Sequence, residues 1–283
     1  MSDFYTVQAA GDIPDEANSQ DVVAFNTQGH RPPLFLIQTW KNEIQNIQRM
    51  ALHVGPDQPV FAVNPPRGEN REDFPRRDPA WSDYALEKLD QIGHSGPWHL
   101  GGWSFGGTLS LGVAQRLIDR NEKVENVILY DAIFPGLSRS SHQNRKSHPI
   151  HRIASSINDY YERPEKDRQE NLNRMISGWK RRLTGTEEKW VAERKDRMDL
   201  LHRAIHVAYL NYQGLEFGGV VDLLWTDETL KKAQDLTLGW HALLRGAFTS
   251  QRIAEGHVEM WHEPSIVHVA QATLAILDRY ISD

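Results

Sequence analysis

One stretch of the sequence constrains the fold of this chain more than any other. Residues 97–107 read PWHLGGWSFGG, in which an apolar run leads into Gly102, Trp103, Ser104, Phe105 and Gly106. Apolar residues then recur at helical spacing over residues 108–118, so Ser104 is predicted to lie on a sharp turn between a strand and a helix. Such a turn strains the serine backbone and leaves no room for side chains two positions before and after it, where the chain has glycine. The stretch therefore predicts an exposed serine nucleophile.

The composition limits the kinds of site that the chain can form. None of its 283 residues is cysteine, so disulfide bonds, thiolate metal ligands and cysteine nucleophiles are excluded, and we expect no metal site. The mean hydropathy is −0.58, no apolar run approaches the length of a membrane span, and residues 1–5 do not resemble a signal peptide. We therefore expect a cytoplasmic protein that does not bind a membrane. A net charge of −6 also disfavours nucleic acid as a partner.

Strand and helix patterns alternate along most of the chain. Residues 1–20 are polar and are expected to form a flexible N-terminal segment, and residues 21–283 are expected to form one domain. Apolar runs predict strands at 21–25, 33–38, 59–63, 98–103, 124–130, 220–225 and 247–254, and helical spacing predicts helices at 42–54, 81–92 and 264–281. This alternation predicts an α/β fold in which helices cover both faces of a mostly parallel sheet.

The pattern changes at about residues 136–218, which are charged, amphipathic and in part helical. Residues 138–206 contain 16 lysine and arginine residues against 10 aspartate and glutamate residues, whereas the rest of the chain is acidic. We predict that this segment is a helical insertion at the carboxyl edge of the sheet, where folds of this kind bind ligands.

A serine at this turn needs a base, because a serine hydroxyl is a poor nucleophile until its proton is removed. His257 follows the predicted strand at 247–254 and precedes the last predicted helix, which is the place expected for that base. His262 lies five residues later in the same loop and is the main alternative, and His241 is a weaker one. The position in the chain favours His257.

The acid that orients the base has two candidate positions. Asp131 ends an apolar strand, where a buried carboxylate without a partner would be costly, so contact with a histidine would account for it. Asp227 and Glu228 follow the penultimate strand, where many enzymes of this architecture place the acid, but with Thr226 they also match the N-terminal cap of a helix. The alternative for Asp131 is a purely structural role, as a helix cap or a turn residue.

Several motifs together resemble the thioesterase domains that release chains from non-ribosomal peptide and polyketide synthases. The resemblance extends over residues 21–280 and is weakest in the insertion. It is carried by residues 33–37 (PLFLI), 102–107 (GWSFGG), 129–135 (LYDAIFP), 239–240 (GW) and 256–260 (GHVEM). It implies an α/β-hydrolase fold, with Ser104 as the nucleophile, His257 as the base and Asp131 as the orienting acid. Trp103 before the serine is typical of the releasing type, and the insertion takes the position of a lid.

The resemblance also implies an oxyanion hole made of two backbone N–H groups. Phe105, directly after the nucleophile, is expected to supply one, and Trp40 or otherwise Thr39 the other. The sequence departs from the family here, because Gln38-Thr39-Trp40-Lys41 stands where a His-Pro or glycine-rich stretch is usual. Further aromatic residues of the insertion could line an acyl tunnel or form the core of the lid. The residues predicted to bind the substrate are Thr39, Trp103, Trp179 and Trp190.

The expected function is that of a thioesterase, which takes an acyl or peptidyl chain from a carrier protein and releases it by hydrolysis or cyclisation. No cofactor is expected, since the substrate arrives on the phosphopantetheine arm of the carrier. Acidic acyl or peptidyl carrier proteins are the expected partners of the basic insertion, although its charges could equally form a solvated helix surface. The alternatives are a carboxylic esterase or lipase and a catalytically idle module that binds carrier proteins.

Overall fold

The centre of the molecule is a twisted sheet built from short apolar segments. The computed structural model describes residues 4–14, 16–40, 43–68, 73–75, 78–137 and 200–281. Within them, eight strands pair in the order β1-β2-β4-β3-β5-β6-β7-β8. Their bounds are β1 Tyr5–Thr6, β2 Val22–Phe25, β3 Leu34–Ile37, β4 Val60–Val63, β5 Trp98–Trp103, β6 Val124–Tyr130, β7 Val221–Thr226 and β8 Phe248–Ala254.

The sheet is mixed, with a parallel majority. Strands β3 to β8 run parallel to one another, whereas β2 is antiparallel to β4 and β1 is parallel to β2. Since parallel strands end at the same edge, the segments that follow β3, β5, β6, β7 and β8 meet at the carboxyl edge of the sheet. The predicted catalytic residues Ser104, Asp131 and His257 therefore lie at this edge.

Helices pack on both faces of the sheet. Helix α1 (Glu43–Val54), α2 (Asp78–Ile92) and α3 (Phe105–Asp119) precede the 200–210 helix, here called α4, and α5 (Asp227–Ala233) and α6 (Ser265–Leu277) follow it. One core contains apolar residues of α2, α3 and α4, and the other contains apolar residues of α1 and α6. Residues of β6 alternate between the two, Val127 and Leu129 facing the first and Ile128 and Tyr130 the second. The predicted fold, helices on both faces of a mostly parallel sheet, is confirmed.

Part of the N-terminal segment and the end of the predicted insertion pack onto the domain. Part of residues 1–20 packs onto the domain, because Tyr5–Thr6 pair with β2 and the side chains of Val7 and Ala17 are buried. The flexibility of that segment stays a prediction. Within the predicted insertion at about 136–218, residues 138–199 lie outside the described residues, whereas α4 is helical as expected and buries Leu201 and Ala204. Among the described helices, none has the length and hydrophobicity needed to cross a membrane.

Candidate active site

Ser104 lies on a strained turn between β5 and α3. Its backbone angles, φ 53° and ψ −122°, are unusual for a residue with a side chain. A Cβ on Gly102 would overlap the backbone of Gly106, and one on Gly106 would overlap the carbonyl oxygen of Ile37 at the end of β3. The backbone N–H of Ser104 donates to the carbonyl of Tyr130 at 2.9 Å. The glycines therefore let the turn form and pack against β3, while β6 holds the serine at the carboxyl edge.

Asp131 is a fully buried carboxylate directly after β6. It is 1% exposed, and its backbone N–H donates to the carbonyl of Leu224 in β7 at 2.6 Å. Its Oδ2 lies 2.6 Å from Nδ1 of His257. Because an ionised carboxylate can only accept hydrogen bonds, this contact assigns the proton to Nδ1 and leaves Nε2 unprotonated in the neutral ring.

Two threonines complete the surroundings of Asp131, of which the sequence predicted Thr226 only as part of a helix cap and assigned Thr229 no role. The backbone N–H of Thr226 donates to Oδ1 at 2.8 Å, and the hydroxyls of Thr226 and Thr229 donate to Oδ2 at 2.8 and 2.7 Å. Thr226 ends β7 and caps α5, since its Oγ1 also accepts the N–H of Thr229 at 3.3 Å. The sequence predicted the helix cap at this position. It did not predict that the capping threonine also donates a hydrogen bond to Asp131, at the end of the neighbouring strand.

His257 follows β8 and lies against β5, the strand that ends directly before Ser104. Its imidazole lies tilted against the ring of Trp103, with ring centroids 4.8 Å apart and an interplanar angle of 31°. Its backbone N–H donates to Oε2 of Glu228 at 2.9 Å. In the described part of the chain, the hydrogen bonds of His257 run to Asp131 and Glu228, and none joins it to Ser104. The contact with Trp103 nevertheless brings the imidazole ring next to the residue that precedes Ser104.

The alternative histidines and acids have other partners. His262 is exposed and its Nδ1 lies 3.2 Å from the carbonyl of Val258, while His241 pairs with Asp235. Asp227 forms a bidentate ion pair with Arg252, whose Nε lies 2.8 Å from Oδ1 and whose Nη2 lies 2.6 Å from Oδ2. Glu228 pairs with Lys232 and contacts the backbone of His257 rather than its ring. Nδ1 of His257 therefore meets Asp131 and neither of the two later acids.

The two predicted oxyanion donors lie at the ends of β3 and β5. Phe105 begins α3, where a backbone N–H has no partner within the helix. Thr39 is fully buried, and its N–H and hydroxyl both donate to the carboxyl of Glu43, each at 3.0 Å. Both donors of Thr39 are thus engaged by Glu43, a buried residue that the sequence analysis did not consider. Trp40 is half-buried and is the more accessible of the two candidates for the second donor.

Helix α4 covers both predicted oxyanion residues from one side. The ring of Tyr209 meets the ring of Phe105 edge-on, with centroids 5.7 Å apart, and the ring of His202 contacts Trp40. Burial lowers the pKa of His202 to about 4, so its imidazole is neutral there. Trp103, predicted to bind the substrate, borders His257 as described above. Trp179 and Trp190, the other tryptophans predicted to bind the substrate, lie outside the described residues.

The sheet order, the strained serine turn and the helices on both faces define an α/β-hydrolase fold. The model of the Thioesterase domain family matches residues 48–276, and the chain belongs to that family. The family prediction is therefore confirmed, and with it membership of a family of hydrolases.

The relatives are large synthases of which this chain matches a small part. Malpibaldin synthetase of Mortierella alpina is 30% identical over 126 residues, which cover 44% of this chain and 2% of that protein. Chondramide synthase cmdD of Chondromyces crocatus is 25% identical over 269 residues, 87% of this chain and 6% of that protein. The thioesterase domain of NocB from the nocardicin cluster has the same fold, with a TM-score of 0.63 at 19% identity over 91% of this chain and 98% of that domain.

Proposed function

We propose that this chain is a serine-dependent thioesterase that releases a polyketide or peptide chain from a carrier protein, by hydrolysis or cyclisation. The observation that carries the proposal is the contact between His257 and Asp131 at 2.6 Å, beside the strained turn that presents Ser104. Membership of the Thioesterase family supports the reaction class. The matched relatives, which are peptide and polyketide synthases by name, support the substrate class.

In the first half of the reaction, Nε2 of His257 takes the proton of the Ser104 hydroxyl while Oγ attacks the thioester carbonyl. The backbone N–H groups of Phe105 and Trp40 stabilise the negative charge that forms on the acyl oxygen. Collapse of the intermediate breaks the carbon–sulfur bond, and the departing thiolate takes the proton from His257. The product is an ester of the acyl chain with Ser104.

In the second half, His257 removes a proton from water or from a nucleophile within the acyl chain as that group attacks the ester carbonyl. The bond between the acyl carbon and Oγ of Ser104 then breaks, and His257 returns the proton to Oγ. Asp131 remains a carboxylate throughout and holds the imidazole in one tautomer. Its hydrogen bonds from Thr226 and Thr229 fix the direction of the buried carboxylate and give both of its oxygens a donor. The thiol of the phosphopantetheine arm leaves with its carrier, so no resident cofactor takes part.

The partner that we propose is an acyl or peptidyl carrier protein. Such proteins are acidic, and the segment at residues 138–206 has an excess of 6 basic over acidic residues, 16 against 10. This charge lies within a chain that is otherwise acidic, which concentrates the attraction at one segment.

The first test is to detect the acyl-enzyme. Wild-type protein incubated with soluble acyl thioesters, or with a fluorophosphonate probe, is expected to gain the mass of one adduct on Ser104. Ser104→Ala should gain none and should lose turnover by about 10⁴-fold or more, because the triad acts as a unit. Ser250→Ala, which alters an exposed serine on β8, is the matched control and should label like the wild type.

The outcomes separate the three candidate functions. An adduct and faster turnover of a thioester than of the matching oxygen ester support the thioesterase, whereas the reverse order supports an esterase. A wild-type protein that forms no adduct with either reagent would instead be a catalytically idle module that binds carrier proteins.

A further inference from the structure

Glu43 is a buried carboxyl group for which the proposed reaction has no role. It begins α1 and is 4% exposed. The N–H of Thr39 donates to Oε2 and the hydroxyl of Thr39 to Oε1, each at 3.0 Å. The N–H of Glu43 donates in turn to the carbonyl of Trp40 at 3.2 Å. Glu43 therefore stabilises, through buried hydrogen bonds, the loop that carries Trp40, the predicted second oxyanion donor.

The charge of Glu43 is set by its burial. Loss of hydration raises the pKa of the Glu43 carboxyl to about 8, and hydrogen bonds from Thr39 and from the backbone N–H of Trp40 oppose this only in part. The group is therefore mostly neutral at pH 7. A neutral carboxyl still accepts the N–H of Thr39 through one oxygen, while its own O–H can donate to the Thr39 hydroxyl.

In the described part of the chain, the residues that line the cavity beside Glu43 include no second group that would change charge near pH 8. Among the described residues, the cavity next to the carboxyl is lined by apolar, amide and aromatic side chains that come from β3, α1, β5, β6 and the segment after β8. They are Leu36, Ile37, Asn46, Ile47, Gly102, Trp103, Tyr130 and Trp261. Tyr130 is the titratable residue of this set, and burial raises its pKa well above the ordinary value, so it stays neutral.

The cavity also extends from Glu43 to the strained turn at Ser104. Gly102 and Trp103 lie in β5 immediately before Ser104, and both line it together with Glu43. A negative charge on Glu43 would therefore act through apolar surroundings of low dielectric constant, where charges interact more strongly than in water.

We propose that Glu43 is a positioning residue of the oxyanion hole: its carboxyl holds the loop through Thr39, and in the neutral form it is a weak enough acceptor that the N–H of Trp40 can turn to the acyl oxygen. The ionised carboxylate competes for that N–H and opposes the negative charge that develops on the acyl oxygen. This inference rests on the proposed acyl transfer to Ser104.

The first experiment follows turnover against pH. We would measure kcat and KM for a soluble acyl thioester between about pH 6 and about pH 9.5, with spontaneous hydrolysis subtracted. Wild-type kcat is expected to fall about tenfold as the pH passes about 8, with KM nearly unchanged, because the hydrogen bonds of an oxyanion hole act mainly in the transition state. Glu43→Gln keeps a neutral group of the same shape and should lack this alkaline decline.

Two further variants sharpen the assignment. Thr39→Val removes one donor to the carboxylate, so the alkaline decline should move to higher pH. Glu87→Gln makes the same chemical change on an exposed side chain of α2 and should keep the wild-type profile. An alkaline decline that persists unchanged in Glu43→Gln would overturn the inference. A wild-type protein that forms no Ser104 adduct would instead overturn the proposed function.

Thermal unfolding tests the charge state without using activity. The pKa of Glu43 is about 8 in the folded chain against an ordinary value of 4.5, so the folded state holds the extra proton between these values. Wild-type stability from this group is complete below about pH 4.5 and is lost as the pH rises through about 8. The Tm of Glu43→Gln should therefore rise relative to the wild type over this range, whereas that of Glu87→Gln should not. A Tm difference that does not vary with pH would contradict a neutral Glu43.

Discussion

Asp131 shows how one residue depends on contacts from several parts of the chain. Its carboxylate is buried beneath the carboxyl edge and accepts hydrogen bonds from Thr226, Thr229 and His257. A buried carboxylate without such donors would be costly, and here both of its oxygens have donors. The residue can therefore remain an acceptor that fixes the tautomer of His257, which is its proposed role.

An amide at this position should be severe. Asp131→Asn keeps the size of the side chain but replaces an acceptor by a group that can also donate. The proton of the His257 imidazole is then no longer held on Nδ1, and the ring can adopt the other tautomer. In a well-studied serine protease this change costs about 10⁴ in kcat, and we expect about 10² to 10⁴ here. The measurement is kcat on a soluble thioester, with circular dichroism as a check on folding.

Asp227→Asn is the matched control for that experiment. Asp227 is paired with Arg252 at an exposed site, and surface ion pairs contribute little to stability. Its kcat should stay within about threefold of the wild type. If Asp227→Asn were the more damaging of the two changes, the orienting role would not belong to Asp131.

At the scale of elements, the junction between β7 and α5 supports the site from outside the catalytic set. Thr226 ends the strand and caps the helix, and Thr229 lies in the first turn of that helix. Because β7 is adjacent and parallel to β6, this junction lies beside Asp131. The start of a short helix is thereby tied to the position of the carboxylate.

Thr229→Val should therefore affect both activity and stability. The change is close to isosteric but removes the hydroxyl that donates to Asp131 at 2.7 Å. We expect about a tenfold loss of kcat and a loss of about 1–2 kcal/mol in the free energy of unfolding. Thr273→Val is the control, because it removes another buried threonine hydroxyl, in α6, that donates to the carbonyl of Val269 and contacts the hydroxyl of Tyr130 but not Asp131. It should cost stability but leave kcat unchanged; equal losses of kcat in both would point to a general loosening of the fold.

At the scale of the whole molecule, charge is unevenly distributed along the chain. A net charge of −6 coexists with 16 basic against 10 acidic residues between positions 138 and 206. Exposed charges attract a partner over roughly a Debye length, about 10 Å at 0.1 M salt, so the attraction should depend on ionic strength.

Charge reversal tests whether this segment attracts a carrier protein. Arg181→Glu with Arg182→Glu should lower kcat/KM for a carrier-bound thioester by about tenfold at low salt, and the loss should shrink as salt is added. Both residues lie outside the described residues, so the prediction rests on sequence charge. Arg120→Glu, at the end of α3 away from Ser104, is the control and should have little effect. Equal losses on a small soluble thioester would mean that the two arginines serve the fold instead.

The sequence alone was sufficient for the features that depend on local spacing. The alternation of apolar runs and helical periods predicted the strands and helices, because each pattern reports which side of an element is buried. The glycines at 102 and 106 predicted the turn at Ser104, because the turn leaves no space for a side chain at either position. In the structure, a Cβ on Gly102 would overlap the backbone of Gly106, and one on Gly106 would overlap the carbonyl oxygen of Ile37. The family followed from motifs of the same local kind.

Only the tertiary structure decided which distant residues meet. The residue patterns left Asp131, Asp227 and Glu228 open as partners of the histidine, and only the family resemblance favoured Asp131. The contact that forms joins Asp131 and His257, 126 positions apart in the chain. The support from Thr229 and the burial of Glu43 against Thr39 were likewise absent from the sequence analysis. The physical reason is that these contacts depend on the order in which strands pair and on the exclusion of water at one sheet edge, neither of which is contained in the spacing of neighbouring residues.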